Sequence, residues 1–409
     1  MKIAHLVNLS RPIGEGNIYA AKTCEYLAKL GHEVTLHLLC RTGESRELAA
    51  LLPEKVRLCE IASIDFKRQL PTDLRYLPYP LFLRRWRAYD IINVHSYLNP
   101  EFLFTYFLAR LWNIPVVLTH TQLDPRNRFG PEGPSSMWRH LFAWRSRALK
   151  NTAGVVLYNS VYRDAFIGLG VDEKKIRSIP PGVDNQYLEP NGEDNGAVRR
   201  KYRLRDEFII AFVGRFRPKR GIETVFRAFP IIRKKYPGTK LLMVGGPEEE
   251  YKRLCSELML GDDVIFTGYQ PNNSLPSFYG AADICVWLPS PPGTFGMVLL
   301  EAMACGKPVI GSKTDSIMNL IRNGENGFLI DHDDEHHLAR VIGRLIEHKS
   351  LRIRMGENGR RLVRTNFRWE YTAEKHEEFF RELAGLYGKN GFHRTETGKE
   401  VHEFFEDRF

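Results

Sequence analysis

The 409-residue sequence lacks several features that would assign it to a specialised class of protein. No stretch of about 20 apolar residues is free of charge and proline, so no membrane-spanning segment is predicted. No cysteine pair has C-x-x-C spacing, and no cysteine–histidine cluster has the spacing of a zinc site. With 43% hydrophobic and 26% charged residues, the composition excludes global disorder, collagen and a small disulfide scaffold.

The few cysteines and the start of the sequence bear on cellular location. All six cysteines stand in or beside apolar runs: Cys24, Cys40, Cys59, Cys255, Cys285 and Cys305. This predicts buried free thiols in a reducing compartment. The first apolar run stops at Arg11, which is too early for a signal peptide. We therefore expect a cytoplasmic protein, with any membrane contact being peripheral.

Positive charge is concentrated in the first half of the chain. The net charge is +10 (59 Lys and Arg minus 49 Asp and Glu), and residues 1–190 hold 25 basic against 18 acidic side chains. Segments 66–87 and 126–150 mix arginine with aromatic residues. Such mixtures suit an anionic membrane surface, single-stranded nucleic acid, or a helix with one packed and one solvated face. We favour membrane or lipid-acceptor contact over nucleic acid.

Strand-like apolar runs alternate with helical patterns along most of the chain. The first 40 residues read as a strand, a loop, a helix and a second strand, and the rhythm continues to about residue 387. The turn-rich segment 189–200 is the best linker candidate. The prediction is two doubly wound α/β domains, 1–190 and 191–369, a final helix over about 370–387 and a polar tail, 388–409.

Two loops follow apolar strands and carry residues of the kinds that bind ligands. Gly14 and Gly16 lie between the first strand and helix, where glycine admits a ligand to the backbone and to a helix N-terminus. The loop is half of a dinucleotide fingerprint, because Tyr19 stands at the third glycine position, so NAD is not predicted. A plain turn fits equally well.

Arg215 and Arg220 flank the second such loop, VGRFRPKRG. Strand ends in a parallel sheet face the ligand crevice, and two guanidinium groups there match a diphosphate. Solvated loop charge is the alternative interpretation.

The most informative stretch is 289–311, PSPPGTFGMVLLEAMACGKPVIG. A Pro/Gly loop leads into a helix whose first-turn amides, near Thr294–Val298, can bind phosphate. Glu301 follows one turn later and can accept hydrogen bonds from sugar hydroxyls. Together these features predict a nucleotide-sugar site.

Eleven short motifs follow one another along the chain: GEGN, LAKLGHEVTL, NVHS, PVVLTHT, IPPGVD, VGRFRPKRG, VIFTGY, AADICVWLPS, FGMVLLEAMACGKPVIGS, ENGFLI and FRWE. In this order, over roughly residues 1–385, they resemble the family 4 retaining glycosyltransferases of the GT-B fold. The resemblance implies two facing Rossmann-like domains with a donor cleft between them. It also implies sugar transfer with retention from a UDP- or GDP-sugar, without metal or other cofactor. The acceptor would be a glycan, a lipid-linked glycan or a small molecule.

The resemblance also implies a role for each candidate residue. Arg215 and Arg220 would neutralise the leaving diphosphate, and the family usually has Lys at the position of Arg220. Glu301 would hold the ribose. The other donor contacts would be Tyr269 and Gln270 beside the base, and Thr294, Phe295, Gly296, Met297 and Val298 at the helix start. His120 would orient the reacting sugar, and Gly14 and Gly16 would lie near the acceptor and diphosphate. The final helix, around Trp369, would cross back to the first domain.

The sequence departs from the family pattern at two acidic positions. The first acid of the family's E-x7-E motif is replaced by Gly293, and the acid of a neighbouring stretch is replaced by Asn319. Asp315 is a candidate substitute. The departures keep two alternatives open: a non-catalytic glycosyltransferase-like partner, and a sugar-nucleotide epimerase of the same fold.

The run DHDD at 331–334 could be taken for a metal-binding DxD motif. It follows a predicted strand and precedes a predicted helix, so Asp333 or Asp334 is better explained as a helix N-cap. No metal site is predicted.

Overall fold

The computed structural model describes residues 1–8, 15–40, 46–49, 52–65, 76–78, 86–95, 100–120, 144, 146–189, 195–291 and 295–387. The chain divides into two compact units. Unit 1 comprises Met1–Pro181 together with the chain from Trp369 onward, and unit 2 comprises Gly182–Arg368. Within the described ranges, no helix is long and apolar enough to cross a membrane.

Unit 1 is built on a nearly all-parallel sheet. Its described strands are β1 (Lys2–Asn8), β2 (Glu33–Cys40), β3 (Arg57–Asp65), β4 (Tyr76–Pro78), β5 (Ile91–His95), β6 (Val116–His120), β7 (Gly154–Leu157) and β8 (Ile176–Ser178). Their order is β4-β3-β2-β1-β5-β6-β7-β8, and only the short edge strand β4 pairs antiparallel. Strands β1, β2, β5, β6 and β7 are buried along nearly their whole length, which explains their continuous apolar sequence.

Helices cover both faces of this sheet. Those that precede unit 2 include α1 (Glu15–Lys29), α2 (Arg46–Ala49), α3 (Pro100–Leu111) and α4 (Arg163–Gly168). Successive strand residues point to opposite faces. Ala4 and Leu6 of β1 therefore share a core with Phe102 of α3, whereas His5 lies between them on the other face.

Unit 2 contains a second parallel sheet. Its described strands are β9 (Phe208–Val213), β10 (Thr239–Val244), β11 (Val264–Phe266), β12 (Ile284–Trp287), β13 (Val309–Ser312) and β14 (Gly327–Ile330). Their order is β11-β10-β9-β12-β13-β14. The two sheets confirm the prediction of two doubly wound α/β domains.

The helices of unit 2 alternate with its strands. Those described are α5 (Asn185–Leu188), α6 (Asn195–Lys201), α7 (Ile222–Lys235), α8 (Glu249–Glu257), α9 (Leu275–Ala281), α10 (Met297–Ala304), α11 (Asp315–Met318), α12 (Glu335–Glu347) and α13 (Lys349–Asn366). The Asp334 carboxylate accepts a 2.8 Å hydrogen bond from the His337 amide. Asp334 therefore caps α12, as its position in the DHDD run predicted.

The chain returns to unit 1 through the helix α14 (Trp369–Tyr387), which lies against α1. The Tyr19 hydroxyl on α1 donates to the Ile179 carbonyl at 2.9 Å, and the Thr372 hydroxyl on α14 donates to the Pro180 carbonyl at 2.9 Å. These bonds join both helices to Ile179 and Pro180, which lie just before the chain enters unit 2.

The unit boundary differs from the one expected from composition. The chain enters unit 2 at Gly182, not after residue 190, because the Val183 amide donates to the Phe367 carbonyl at 2.8 Å. Part of the predicted linker, 189–200, forms helix α6. Residues 190–194 and the polar tail 388–409 lie outside the described residues.

The cysteines agree with the predicted free thiols, because four are buried and Cys59 and Cys305 are half-buried.

Most of segments 66–87 and 126–150 lies outside the described residues. Of their described tryptophans, Trp86 is buried in the core and Trp144 is exposed.

Candidate functional site

The candidate site lies where the strand order of unit 2 reverses. β9 and β12 are neighbours in the sheet, and the chain proceeds from β9 toward one edge and from β12 toward the other. Ligands of open α/β sheets bind beyond the carboxyl ends of the strands at such a switch point. Gly214 and Arg215 directly follow β9, and the loop into α10 follows β12. Two sequence-predicted elements therefore meet at the expected position.

The arginine loop after β9 has a fixed backbone. The Gly214 amide donates to the Val244 carbonyl and the Phe216 amide to the Gly246 carbonyl, each at 2.9 Å. Phe216 is buried between these bonds, while Arg215 is exposed. Gly245 has a φ of +139°, and a Cβ there would collide with the Gly214 carbonyl. The packing therefore holds the main chain and leaves the Arg215 side chain at the surface.

Arg220 stands at the other end of the same loop, directly before Gly221, the N-cap of α7. It is half-buried, and its Cζ lies 5.3 Å from the centre of the Trp287 ring. Trp287 is the last residue of β12. Arg220 is thus held against the strand that leads to the second predicted element.

That second element is the start of α10. The amides of Leu299 and Leu300 both donate to the Gly296 carbonyl, at 2.9 and 3.3 Å. The amides of Met297 and Val298 belong to the first turn, where a helix supplies no internal acceptor. This end of the helix favours an anion. Phe295 is buried with its ring 6.4 Å from that of Phe367, and Thr294 lies outside the described residues.

Glu301 belongs to a buried aromatic cluster. The Tyr279 hydroxyl on α9 donates to Glu301 Oε2 at 2.7 Å. The Tyr279 ring lies 6.0 Å from the Tyr187 ring, and the Tyr187 hydroxyl donates to Asn272 Oδ1. Burial, followed by the charge of Glu301, raises the pKa of both tyrosines. Both hydroxyls therefore remain neutral donors at physiological pH.

Sequence reasoning missed Tyr279 and Tyr187. Tyr279 stands 22 residues before Glu301, in a different helix, and Tyr187 stands in the short helix at the unit boundary. No local spacing connects these positions. A buried tyrosine that needs a partner for its hydroxyl is the only general signal that could have pointed to them.

Tyr269 and Gln270 follow β11, next to β10 in the sheet. The Tyr269 side chain is 84% exposed. Gln270 Nε2 donates to the carbonyl of Thr267 at 2.7 Å, which folds this side chain over its own turn. The two residues thus lie at the same carboxyl edge of the sheet as Arg215.

The remaining candidates belong to unit 1. Gly16 is the second residue of α1, and the Asn17 side chain donates to the Asn8 carbonyl at 2.9 Å, joining α1 to the end of β1. Gly14 lies outside the described residues. His120 ends β6 and is 2% exposed, with the Tyr162 and Phe166 rings each 5.1 Å away. Neither residue belongs to the unit that holds the arginines and Glu301.

Of the two departures from the family pattern, only Asn319 lies among the described residues. Gly293 lies outside the described residues. Asp315 is the exposed first residue of α11, and Asn319 follows the last. Among the residues described, no group of three or more His, Cys, Asp or Glu side chains is arranged to hold a metal ion.

Two family models match the chain in succession. The model "Glycosyltransferase Family 4" matches residues 16–187, and "Glycosyl transferases group 1" matches residues 194–362. The D-inositol 3-phosphate glycosyltransferase of Corynebacterium jeikeium is 30% identical over 391 residues, covering 90% of this chain and 92% of its own. A GDP-mannose-dependent alpha-(1-6)-phosphatidylinositol monomannoside mannosyltransferase of Mycolicibacterium smegmatis is 29% identical over 232 residues, covering 54% and 61%.

The fold matches solved structures of the same kind. HepE of Anabaena, determined in complex with UDP, superposes with a TM-score of 0.76 at 20% identity, covering 93% of this chain and all of its own. The two parallel-sheet units are the Rossmann-like domains of a GT-B glycosyltransferase. The chain belongs to glycosyltransferase family 4. This confirms the fold and the family that its motifs resemble.

Proposed function

We propose that this protein transfers a sugar, with retention and without a metal, from a UDP- or GDP-sugar to a glycan, lipid-linked or small-molecule acceptor. The observation that carries the proposal is the meeting of three charged or dipolar elements at one switch point. Arg215 and Arg220 follow β9, the first turn of α10 follows β12, and Glu301 lies one turn further along α10. A diphosphate needs the first two, and a ribose needs the third.

Each element has a part in the chemistry. The bond between the sugar C1 and the β-phosphate oxygen breaks, and its electron pair stays on that oxygen. Arg215, Arg220 and the α10 amides stabilise this growing negative charge. The acceptor oxygen bonds to C1 on the face that the phosphate leaves, and its proton passes to the departing phosphate. His120 orients the sugar and takes no proton in this scheme.

Two similar proteins bear on the donor. The mycobacterial relative is named for dependence on GDP-mannose, and HepE was solved with UDP. GDP-mannose and UDP both contain a nucleoside diphosphate with a ribose. This is the part of a donor that Arg215, Arg220 and Glu301 would bind. We therefore keep UDP- and GDP-sugars as the two donor classes.

Thermal unfolding of the purified protein tests the donor site. UDP, GDP and their common sugar conjugates are added singly, first with a chelator and then with Mg²⁺ or Mn²⁺. A ligand that binds only the folded protein raises its Tm by mass action. We expect one nucleotide family to raise Tm equally with and without metal, and Glu301→Ala to reduce the shift.

Turnover with the donor so identified then separates the alternatives. Transfer to an acceptor with the anomeric configuration kept supports the proposal. Nucleotide binding without any turnover would replace it with a non-catalytic partner, and conversion of the donor sugar without an acceptor would replace it with an epimerase.

We also propose that the protein works at the surface of an anionic membrane, through one face of α3. Phe104, Phe107 and Leu111 recur at the spacing of one helix face, and all three are exposed. Arg110 is exposed on the same helix, and Arg87 lies exposed over the nearby Trp112 ring. Aromatic and aliphatic side chains bordered by arginine favour the headgroup region of anionic lipids.

Sedimentation with vesicles tests this second proposal. We expect binding to phosphatidylglycerol-containing vesicles, weakening with salt, and little binding to pure phosphatidylcholine. Phe104→Ser with Phe107→Ser should abolish it. The matched control is Ile231→Ser with Met259→Ser, which removes exposed apolar side chains from unit 2. Equal loss in both variants, or equal binding to both vesicles, would contradict the proposal.

A further inference from the structure

The segment that extends β12, Trp287 to Ser290, packs against the arginine loop along its length. The Ser290 amide donates to the Lys219 carbonyl at 3.0 Å. The Trp287 ring centre lies 5.3 Å from the Arg220 guanidinium carbon. The chain that leads toward α10 therefore also supports the loop that carries both arginines.

The Trp287 indole is itself held on its other sides. Its ring lies 5.0 Å from the Phe212 ring of β9, and the side chain is 5% exposed. A Cβ at Gly214 would come within 2.9 Å of the indole Cζ3. The absence of a side chain at Gly214 thus lets the indole approach the loop at the point where Arg215 begins.

Packing alone does not account for a tryptophan at this position. The Trp287 Nε1 atom is buried, and it has no hydrogen-bond partner among the residues that the structure describes. Burying an unsatisfied N–H is unfavourable, and a phenylalanine or leucine would fill apolar space without that cost. A large electron-rich ring face toward a cation is the property that tryptophan adds. The face of the Trp287 ring is therefore the property that favours a tryptophan here, and the cation beside it is the Arg220 guanidinium.

We propose that Trp287 is a positioning residue that holds the Arg220 guanidinium for the β-phosphate of the donor. This inference rests on the proposed function, because it assigns Arg220 to the leaving diphosphate. A planar guanidinium can stack on the indole and still direct its N–H groups to a phosphate, whereas a lysine ammonium is a point charge on a flexible stem. Trp287 thereby makes this site require arginine at position 220.

Binding of a nucleoside diphosphate and a monophosphate, compared by calorimetry, isolates the effect at the β-phosphate. The probes are UDP with UMP, or GDP with GMP, whichever base the native protein binds. We expect Trp287→Leu to weaken diphosphate binding about tenfold and to leave monophosphate binding unchanged. Trp287→Phe keeps an aromatic face and should lose less.

Two further variants define the mechanism. Arg220→Lys should weaken diphosphate binding in the native background and have little further effect in the Trp287→Leu background, since the two changes remove one interaction. The matched control is Phe328→Leu, which removes a second aromatic ring of unit 2 lying 5.5 Å from an arginine, Arg344, away from the loop. It should leave both affinities unchanged.

The outcomes separate this inference from the proposed function. A native protein that binds neither nucleotide overturns both. A native protein that prefers the diphosphate, with the same preference retained in Trp287→Leu, overturns the inference alone. If Trp287→Leu does not fold, Trp287→Phe and Arg220→Lys decide: undiminished preference for the diphosphate in both variants overturns the inference.

Discussion

The two units of the protein share a parallel-sheet architecture but place their polar groups differently. Among its described residues, unit 1 buries six histidines: His5, His32, His37, His95, His120 and His376. The four histidines of unit 2, His332, His336, His337 and His348, are all partly or fully exposed. Unit 2 instead concentrates arginines and a carboxylate at the carboxyl edge of its sheet. The same fold thus carries polar groups in its core in one unit and at the carboxyl edge of its sheet in the other.

The centre of the unit 1 core is a pair of imidazoles. His5 Nδ1 lies 2.9 Å from His95 Nε2, and Asn93, which accepts from the Thr119 hydroxyl at 2.7 Å, lies beside both. Burial lowers the pKa of His95 to about 3 and that of His376 to about 4. The pKa of His5 is also lowered, by burial and then by His95. These imidazoles are therefore neutral in the folded protein at neutral pH.

The largest expected effect is that of removing the two arginines at the carboxyl edge of the unit 2 sheet. Arg215→Ala combined with Arg220→Ala should lower turnover on the order of 1,000-fold, because the proposed function assigns both groups to the charge that develops in the transition state. Tm should change little, since Arg215 is exposed and Arg220 is only half-buried. Steady-state kinetics and thermal unfolding measure both quantities.

The control for that variant is Arg217→Ala, an exposed arginine of the same loop. It should keep most of the turnover. An equal loss with Arg217→Ala would mean that the charge of the loop as a whole matters, and not the two assigned guanidinium groups.

The second prediction tests the core of unit 1 through its response to acid. A depressed folded-state pKa means that the unfolded chain binds more protons below about pH 6.5. The contribution of His95 and His376 to stability is complete above that pH and is lost as the pH falls toward 4 and 3. At pH 5 the loss should be about 2 kcal/mol for each of the two imidazoles.

Urea unfolding at pH 7.5 and pH 5 measures this loss. Trp287 is the only tryptophan of the sequence in the range of unit 2, so fluorescence of Trp287→Phe reports on unit 1. His95→Phe should reduce the acid effect. A free energy of unfolding that is the same at both pH values would refute the account of the buried imidazoles.

The third prediction concerns the hydroxyl that holds Glu301. Tyr279→Phe keeps the buried ring and removes the 2.7 Å bond to the carboxylate. Because a hydrogen bond to a charged group contributes strongly, its loss should lower nucleotide affinity about tenfold. Binding of a 2′,3′-dideoxy nucleotide should change far less, because it lacks the ribose hydroxyls that Glu301 would bind.

Tyr236→Phe is the matched control for Tyr279→Phe. Its hydroxyl donates to Glu347 at 2.5 Å, in a second tyrosine–glutamate pair of unit 2, and Tyr236 lies at the opposite end of α7 from Arg220. Nucleotide affinity should not change. Parallel losses for ribose and dideoxy nucleotides in Tyr279→Phe would point to general damage rather than to Glu301.

The smallest expected effect distinguishes a helix cap from a metal ligand in the DHDD run. Asp334→Ala removes the bond to the His337 amide and should lower stability by about 1 kcal/mol. Asp333 is exposed and should be replaceable by alanine without effect. Turnover in the presence and absence of Mn²⁺ should be the same in both variants. A loss of activity restored by Mn²⁺ would favour the metal interpretation.

The sequence predicted the elements of this fold because parallel strands buried on both faces read as short apolar runs. It also placed Arg215 and the start of α10 at strand ends, since turn residues mark where those strands stop. It did not predict the contacts of Tyr279 with Glu301 or of Trp287 with Arg220. These depend on which strands are neighbours in the sheet, and no local pattern encodes that order.

The position of the unit boundary depends on contacts of a related kind. Composition marked 189–200 as a linker, but the chain changes units at Gly182, where Val183 bonds to Phe367 far along the sequence. Pairing over such a separation has no signature in the residues beside it. The roles of His120 and of the donor contacts at Tyr269 and Gln270 stay predictions.

The return of α14 to unit 1 has a consequence for how the protein is made. On the ribosome, all of Gly182–Arg368 is synthesised before α14 emerges. Unit 2 is continuous in sequence and can therefore fold while synthesis continues. Unit 1 must wait for His376 and Phe380, which pack beside His5. The half of the protein that is translated first is thus the last to be completed, and its histidine core stays open until then.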